Sequence, residues 1–200
     1  TITPVGLYLR FRDKYANTLL LESSDYHSKE ESYSFICIEP LITIQSKNHF
    51  LSFSHKDDVL ANEEIGKNFN AIFEKYSKSI SLDCPEELKS FNGLYGYTTY
   101  DSVQYFENIV LSVKEAPSAI PLLQYSFYRF IIAINHFNDE MMLIENIEKG
   151  QESRIQEIQK IIDAQAFNTQ KFETVDEETS NCTNEDFKEY VVKAKSHCKR

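Results

Sequence analysis

The chain has 200 residues, 42% apolar and 13% aromatic, with 5 glycines and 5 prolines, a composition that supports a buried core and excludes disorder. Its 31 acidic and 21 basic residues leave a net charge of −10 without any basic stripe, which argues against nucleic acid or an anionic membrane as a partner. The apolar run Ile131-Ile132-Ala133-Ile134 is far short of a membrane span of roughly twenty residues, and no signal-peptide pattern opens the chain. Cys37, Cys84, Cys182 and Cys198 show no metal-ligand spacing such as C-x-x-C, and Cys37 in an apolar strand pattern suggests a reduced, buried thiol, so a protein of the cytoplasm is expected.

Val5, Leu7, Leu9 and Phe11 alternate with more polar neighbours and predict a half-buried strand. A second strand is expected over Leu19 to Glu22, a third over Tyr33 to Glu39 stopped by Pro40, and a fourth over Leu41 to Ser46. His49 to His55 follows a Lys47-Asn48 connection, which makes a hairpin. Ile65, Phe69, Ile72, Phe73 and Tyr76 form one apolar stripe at helical spacing, with Asn62 as its cap. Residues 79–92 read as a polar connection and Gly93 to Tyr100 as a strand, with Asp101 placed to cap a short helix through Phe106. Gly93 and Gly96 are expected to allow close approach of a neighbouring backbone. Leu122 to His136 is a long strand of Tyr, Phe and Ile that turns at Asn138-Asp139 and returns over Met141 to Ile147. Ile155, Ile158 and Ile162 mark a second amphipathic helix.

Strands and helices in this order, without βαβ alternation, predict an α+β fold of antiparallel sheets with packed helices. Residues 1–167 are read as one α+β domain and 168–182 as an acidic linker or loop. Residues 183–200 are read as a helix leading into a further domain, opened by a Thr183–Asp186 capping box. The start at Thr1 and the apolar stripe Phe187, Tyr190, Val191, Ala194 and Cys198 at the other end create the expectation of a chain cut from a longer protein.

Several chemistries are missing. Gly93-Leu94-Tyr95-Gly96 has neither the third glycine of a dinucleotide loop nor the Gly-Lys-Ser/Thr of a P-loop. There is no G-x-S-x-G and no H-E-x-x-H, and the five histidines show no ligand spacing. Glu30-Glu31 and Glu63-Glu64 read as solvated faces. Two candidates remain. The tyrosine-rich stretch Phe91 to Glu107 can pack against the strand at 122–136 or form an amphipathic contact surface. In Leu19-Leu20-Leu21-Glu22-Ser23 a buried strand runs directly into a carboxylate and a hydroxyl. Such an edge can hold a zwitterionic small molecule, with the Glu22 carboxylate facing an ammonium and the Ser23 hydroxyl beside it. The plainer alternative is a solvated strand end.

Leu20-Leu21-Glu22-Ser23, then Tyr33-Ser34-Phe35-Ile36 ahead of Glu39-Pro40, then Gly93-Leu94-Tyr95-Gly96-Tyr97 through Tyr100-Asp101 to Phe106-Glu107, stand in an order that resembles the N-terminal region of anthranilate synthase component I. Aminodeoxychorismate synthase component I shares much of the pattern. The first resemblance implies a lyase of tryptophan biosynthesis. Its full-length form converts chorismate to anthranilate and pyruvate with magnesium, using ammonia from a glutamine amidotransferase subunit. It further implies that catalytic and magnesium ligands lie outside this chain, so that residues 1–200 alone are inactive. Leu21, Glu22 and Ser23 would be part of a site for feedback inhibition by tryptophan. The rivals are the aminodeoxychorismate enzyme of folate synthesis and a stand-alone, non-catalytic binding module.

Overall fold

The computed structural model describes residues 3–23, 32–47, 49–109, 111, 120–164, 173–175 and 179–199. The chain divides into two compact units, residues 1–168 and 169–200.

The first unit opens with a helix rather than the expected strand. Helix α1 (Pro4–Arg12) starts because the Thr3 hydroxyl accepts from the Gly6 N–H at 3.0 Å and Pro4 occupies the first turn, where its missing N–H costs nothing. Leu7 and Phe11, four apart, are the residues it buries, while Val5 is exposed. The alternation of apolar residues over 5–11 thus coincides with a helical pair, and the cap decides between the two periods.

Seven strands follow: β1 (Leu19–Leu21), β2 (Tyr33–Lys47), β3 (Phe50–His55), β4 (Asp58–Glu64), β5 (Leu94–Thr98), β6 (Leu123–Asn135) and β7 (Met141–Glu145). They form one antiparallel sheet in the order β4-β3-β2-β6-β5, with β1 added to β2 and β7 to β6. Fold class α+β is as expected. Pro40 does not stop the third strand, because β2 runs through it. A register shift between Pro40 and Ile42 and a left-handed Glu39 (φ 61°) form a bulge that accommodates the missing N–H. β4 replaces the expected start of the helix: Asn62 pairs with Ser52 in the sheet and caps nothing. Helix α2 (Phe69–Lys78) begins later, and the Asn68 side chain before it accepts from the Gly66 N–H at 2.9 Å.

Residues 79–92 contain a 3₁₀ turn, Glu86–Phe91, and a second one spans Tyr100–Tyr105. Asp101 lies inside that second turn, behind Thr99 at the cap position, so its expected capping role is not observed. Gly96 meets its expectation: a Cβ there would lie 1.9 Å from the Gln124 carbonyl oxygen. Gly93 does not, since a Cβ would meet nothing within 4 Å.

Helix α3 (Ile155–Asp163) packs Ile158 and Ile162 with Leu7, Phe11, Ile36, Ile38, Phe130 and Ile132. A second cluster joins α2 to Ile44, Leu51 and Leu123, and a third joins Cys37, Tyr128, Ile131 and Ile144. Each large aliphatic or aromatic side chain buried this way contributes about 1.5–3 kcal/mol. In the second unit, helix α4 (Asn184–Cys198) carries the expected capping box, with Thr183 and Asp186 satisfying each other's backbone N–H. Among the described residues no helix is long and apolar enough to cross a membrane.

Candidate functional site

β1 is three leucines long, and its position is set by packing on both sides. Leu20 lies against the cluster of α1 and α3, Leu19 against the cluster around Cys37, and Leu21 stands opposite Phe35 of β2. Glu22 and Ser23 therefore leave a fixed strand end. Glu22 is exposed and Ser23 half-buried. Beside them, just before β2, the buried Ser32 donates its hydroxyl to Ser23 Oγ at 3.3 Å. Its carbonyl accepts from the His136 N–H at 2.9 Å, and the His136 Nε2 lies 2.7 Å from the Ser34 hydroxyl. An aromatic row continues along the same strand. Tyr33 meets Phe91 edge-on at 5.2 Å between ring centroids, and Phe35 meets Tyr95 at 5.2 Å. The end of β1 thus combines an exposed carboxylate, a part-buried hydroxyl and a neighbouring aromatic layer. Those are the groups that suit an amino acid with a large side chain.

Among the described residues no three His, Cys, Asp or Glu side chains come together to hold a metal ion, so none is assigned to the magnesium that the resemblance implies. Cys37 is fully buried, and burial pushes its thiol up to about 12, which makes it an inert core residue.

A buried charge cluster escaped the sequence reading. Arg129 is 4% exposed and donates to Glu145 Oε1 through Nε at 3.1 Å and Nη2 at 3.0 Å, to Gln151 at 3.0 Å and to the Glu152 carbonyl at 2.8 Å. Burial would raise the Glu145 carboxyl, but hydrogen bonds from Ser153, the Arg154 N–H and Arg129 outweigh it and hold Glu145 below its ordinary range. Arg154 in turn donates to both oxygens of Glu39 at 2.9 and 2.8 Å. All its members serve one another, so the cluster is a clamp between β2, β6, β7 and α3. Its one signal in the sequence is the lone arginine inside the apolar run 127–134. A groove of about 740 Å³ lies nearby over Leu41, Phe127 and Ile144. Its wall includes Asn92 and Asn146, whose amides bond to each other in both directions at 2.8 Å.

Residues 18–200 match the model of the family described as chorismate binding enzyme. The chain belongs to this chorismate-utilising family. It is 25% identical over 214 residues to anthranilate synthase component 1 of Acetivibrio thermocellus, covering 98% of this chain and 42% of that protein. It is 24% identical to the same component from Methanothermobacter thermautotrophicus, over 80% of this chain and 31% of that one. Aminodeoxychorismate synthase component 1 of Bacillus subtilis is 25% identical over 64% of this chain and 28% of its own length. The solved anthranilate synthase component I of Streptococcus pneumoniae aligns at a TM-score of 0.44 and 19% identity, over 80% of this chain and 33% of that structure. The chain spans about two fifths of the length of the relatives it matches most fully.

Proposed function

We propose that this chain is the N-terminal, regulatory part of an anthranilate synthase component I. The intact enzyme would convert chorismate and ammonia to anthranilate and pyruvate in tryptophan biosynthesis, with magnesium and with a glutamine amidotransferase subunit supplying the ammonia. The observation that carries the reading is the membership of residues 18–200 in the chorismate binding enzyme family, together with matches to anthranilate synthases along 98% of the chain. The aminodeoxychorismate reading keeps support from the Bacillus subtilis match.

Within that enzyme, Leu21, Glu22 and Ser23 would form one side of the site for inhibitory tryptophan. The exposed Glu22 faces the ammonium, Ser23 supplies a polar contact, and Leu21 holds the strand end against Phe35. Chorismate chemistry would come from elsewhere in the enzyme, so residues 1–200 alone would leave chorismate unconsumed. Anthranilate fluorescence from the purified chain with ammonia and magnesium would overturn that part.

The decisive experiment assays the intact enzyme for anthranilate across a tryptophan titration. Loss of one charge-assisted hydrogen bond costs roughly 1.5–3 kcal/mol, so Ser23→Ala is expected to move the inhibition curve about ten- to a hundredfold toward higher tryptophan. An inhibition curve unmoved by Ser23→Ala and Glu22→Gln rules out the site. Formation of aminodeoxychorismate without tryptophan inhibition selects the second reading.

A further inference from the structure

We propose that Asn92-Gly93 is a site of spontaneous covalent modification, held unreacted by its pairing with Asn146. β5 and β7 lie end to end along one edge of β6, with Leu94 opposite Phe127 and Glu145 opposite Phe130. Tyr128 and Arg129 fall between them, and Asn146 takes up both their carbonyls. Its backbone N–H donates to Arg129 O at 2.7 Å and its Nδ2 to Tyr128 O at 2.8 Å. The same side-chain amide meets that of Asn92 in both directions at 2.8 Å, which joins the end of β7 to the start of β5. Asn146 is 8% exposed, whereas Asn92 and Gly93 are half-buried and Asn92 lines the groove over Phe127.

An asparagine is chemically labile where glycine follows it, because the attacking backbone nitrogen then carries no neighbouring side chain to obstruct it. The Gly93 nitrogen gives up its proton and bonds to Asn92 Cγ, the Cγ–Nδ2 bond breaks, and Nδ2 leaves as ammonia. Water then opens the cyclic imide at either carbonyl, leaving aspartate or isoaspartate, and nothing is oxidised or reduced. Gly93 suits the first step, since even a Cβ there would meet nothing within 4 Å. Two features oppose it. Asn92 is extended, at φ −118° and ψ 119°, so ring closure requires rotation about ψ, and both ends of its amide are engaged by Asn146. The product cannot keep that pairing. An ionised aspartate has no proton to give Asn146 Oδ1, and turning the Asn146 amide round would set Oδ1 against the Tyr128 carbonyl. Conversion therefore parts β5 from β7 and marks, irreversibly, each chain in which the two had separated.

The test follows the full chain by peptide mass spectrometry at mildly alkaline pH, reading acid and isoaspartate at position 92, with melting temperatures recorded for every variant. Asn92 is expected to convert in the urea-unfolded chain. Two hydrogen bonds must open in the folded one, so its rate is expected to be at least about tenfold lower. Asn146→Ala is expected to raise the folded rate about tenfold, with Asn146→Ser in its place if the alanine variant does not fold. Ile158→Ala weakens the core of α1 and α3 without touching either asparagine, and is expected to leave the rate near that of the parent. Gly93→Ala is expected to slow conversion in the unfolded chain and in the Asn146 variant. Asn92→Asp, the product made genetically, is expected to melt below the parent. An unfolded chain that does not convert at Asn92, or that Gly93→Ala does not slow, overturns the modification site. Equal rates in the folded and unfolded parent, or a rise in the Asn146 variant that Ile158→Ala matches, overturns the protection by pairing. A parent-like melt for Asn92→Asp overturns the parting of β5 from β7.

Discussion

At the scale of single residues, Gly96 shows how a side chain can be excluded by backbone alone. A Cβ at this position would stand 1.9 Å from Gln124 O and 2.7 Å from Tyr125 Cα, both backbone atoms of the neighbouring β6, which cannot give way as a flexible side chain could. Gly96→Val is therefore expected to lower stability by at least the 1–3 kcal/mol seen on the order of overpacking, read as a fall in melting temperature. Gly93→Ala, with open space over its Cα, is the matched control and is expected to melt with the parent. A parent-like melt for Gly96→Val would mean that β5 can slide away from β6. The need for glycine at 96 was legible from Gly93-Leu94-Tyr95-Gly96, because two glycines in a tyrosine-rich strand have to serve some approach. Which of them serves it depends on the register Gly96↔Tyr125, a pairing between residues 29 apart.

Among the elements, the junction of β2, β6, β7 and α3 depends on the Arg129–Glu145 pair, whose side chains are 5% and 3% exposed. Removing one partner leaves the other buried without its counter-charge, so Arg129→Ala is expected to cost about 3–5 kcal/mol. The double variant Arg129→Met/Glu145→Leu is expected to lose less than Arg129→Ala, because no unpaired charge remains. Glu145 also sets an acid dependence. Its carboxyl is held below the ordinary value of 4.5 in the folded protein, so its contribution is complete above that value and fades as the pH falls through its own lower one. Chemical denaturation from pH 6 to pH 3 is expected to show a steeper acid-side loss in the parent than in the double variant. Equal slopes would remove Glu145 from the account. The bulge at Glu39 belongs to the same junction, since the Glu39 carboxylate accepts from Arg154 just where β2 changes register.

On the scale of the whole molecule, all three apolar clusters draw their residues from positions 7–162. A chain of residues 1–168 is accordingly expected to fold alone, with a strand-rich circular dichroism spectrum and one cooperative melt. Failure to give that melt would show that the sheet needs a further segment to complete its core. The sequence by itself determined the long strand over 122–136, the helix carrying Ile155, Ile158 and Ile162, the Thr183 capping box, and a leucine strand ending in Glu22-Ser23. In each of these the deciding signal lies within a few residues of its own position, as a period, a cap or a run of apolar side chains. Tertiary structure decided the rest. Residues 58–64 hold Val59, Leu60 and Ala61 in one run without alternation, and become a strand because β3 offers them a row of backbone partners. Pro40 stays inside β2 because β6 holds both sides of the bulge. Ser32 reaches Ser23 because the sheet brings the end of β1 back beside the start of β2. Hydrogen bonds and packing between distant segments choose among local conformations that differ by little, and no local pattern records that choice.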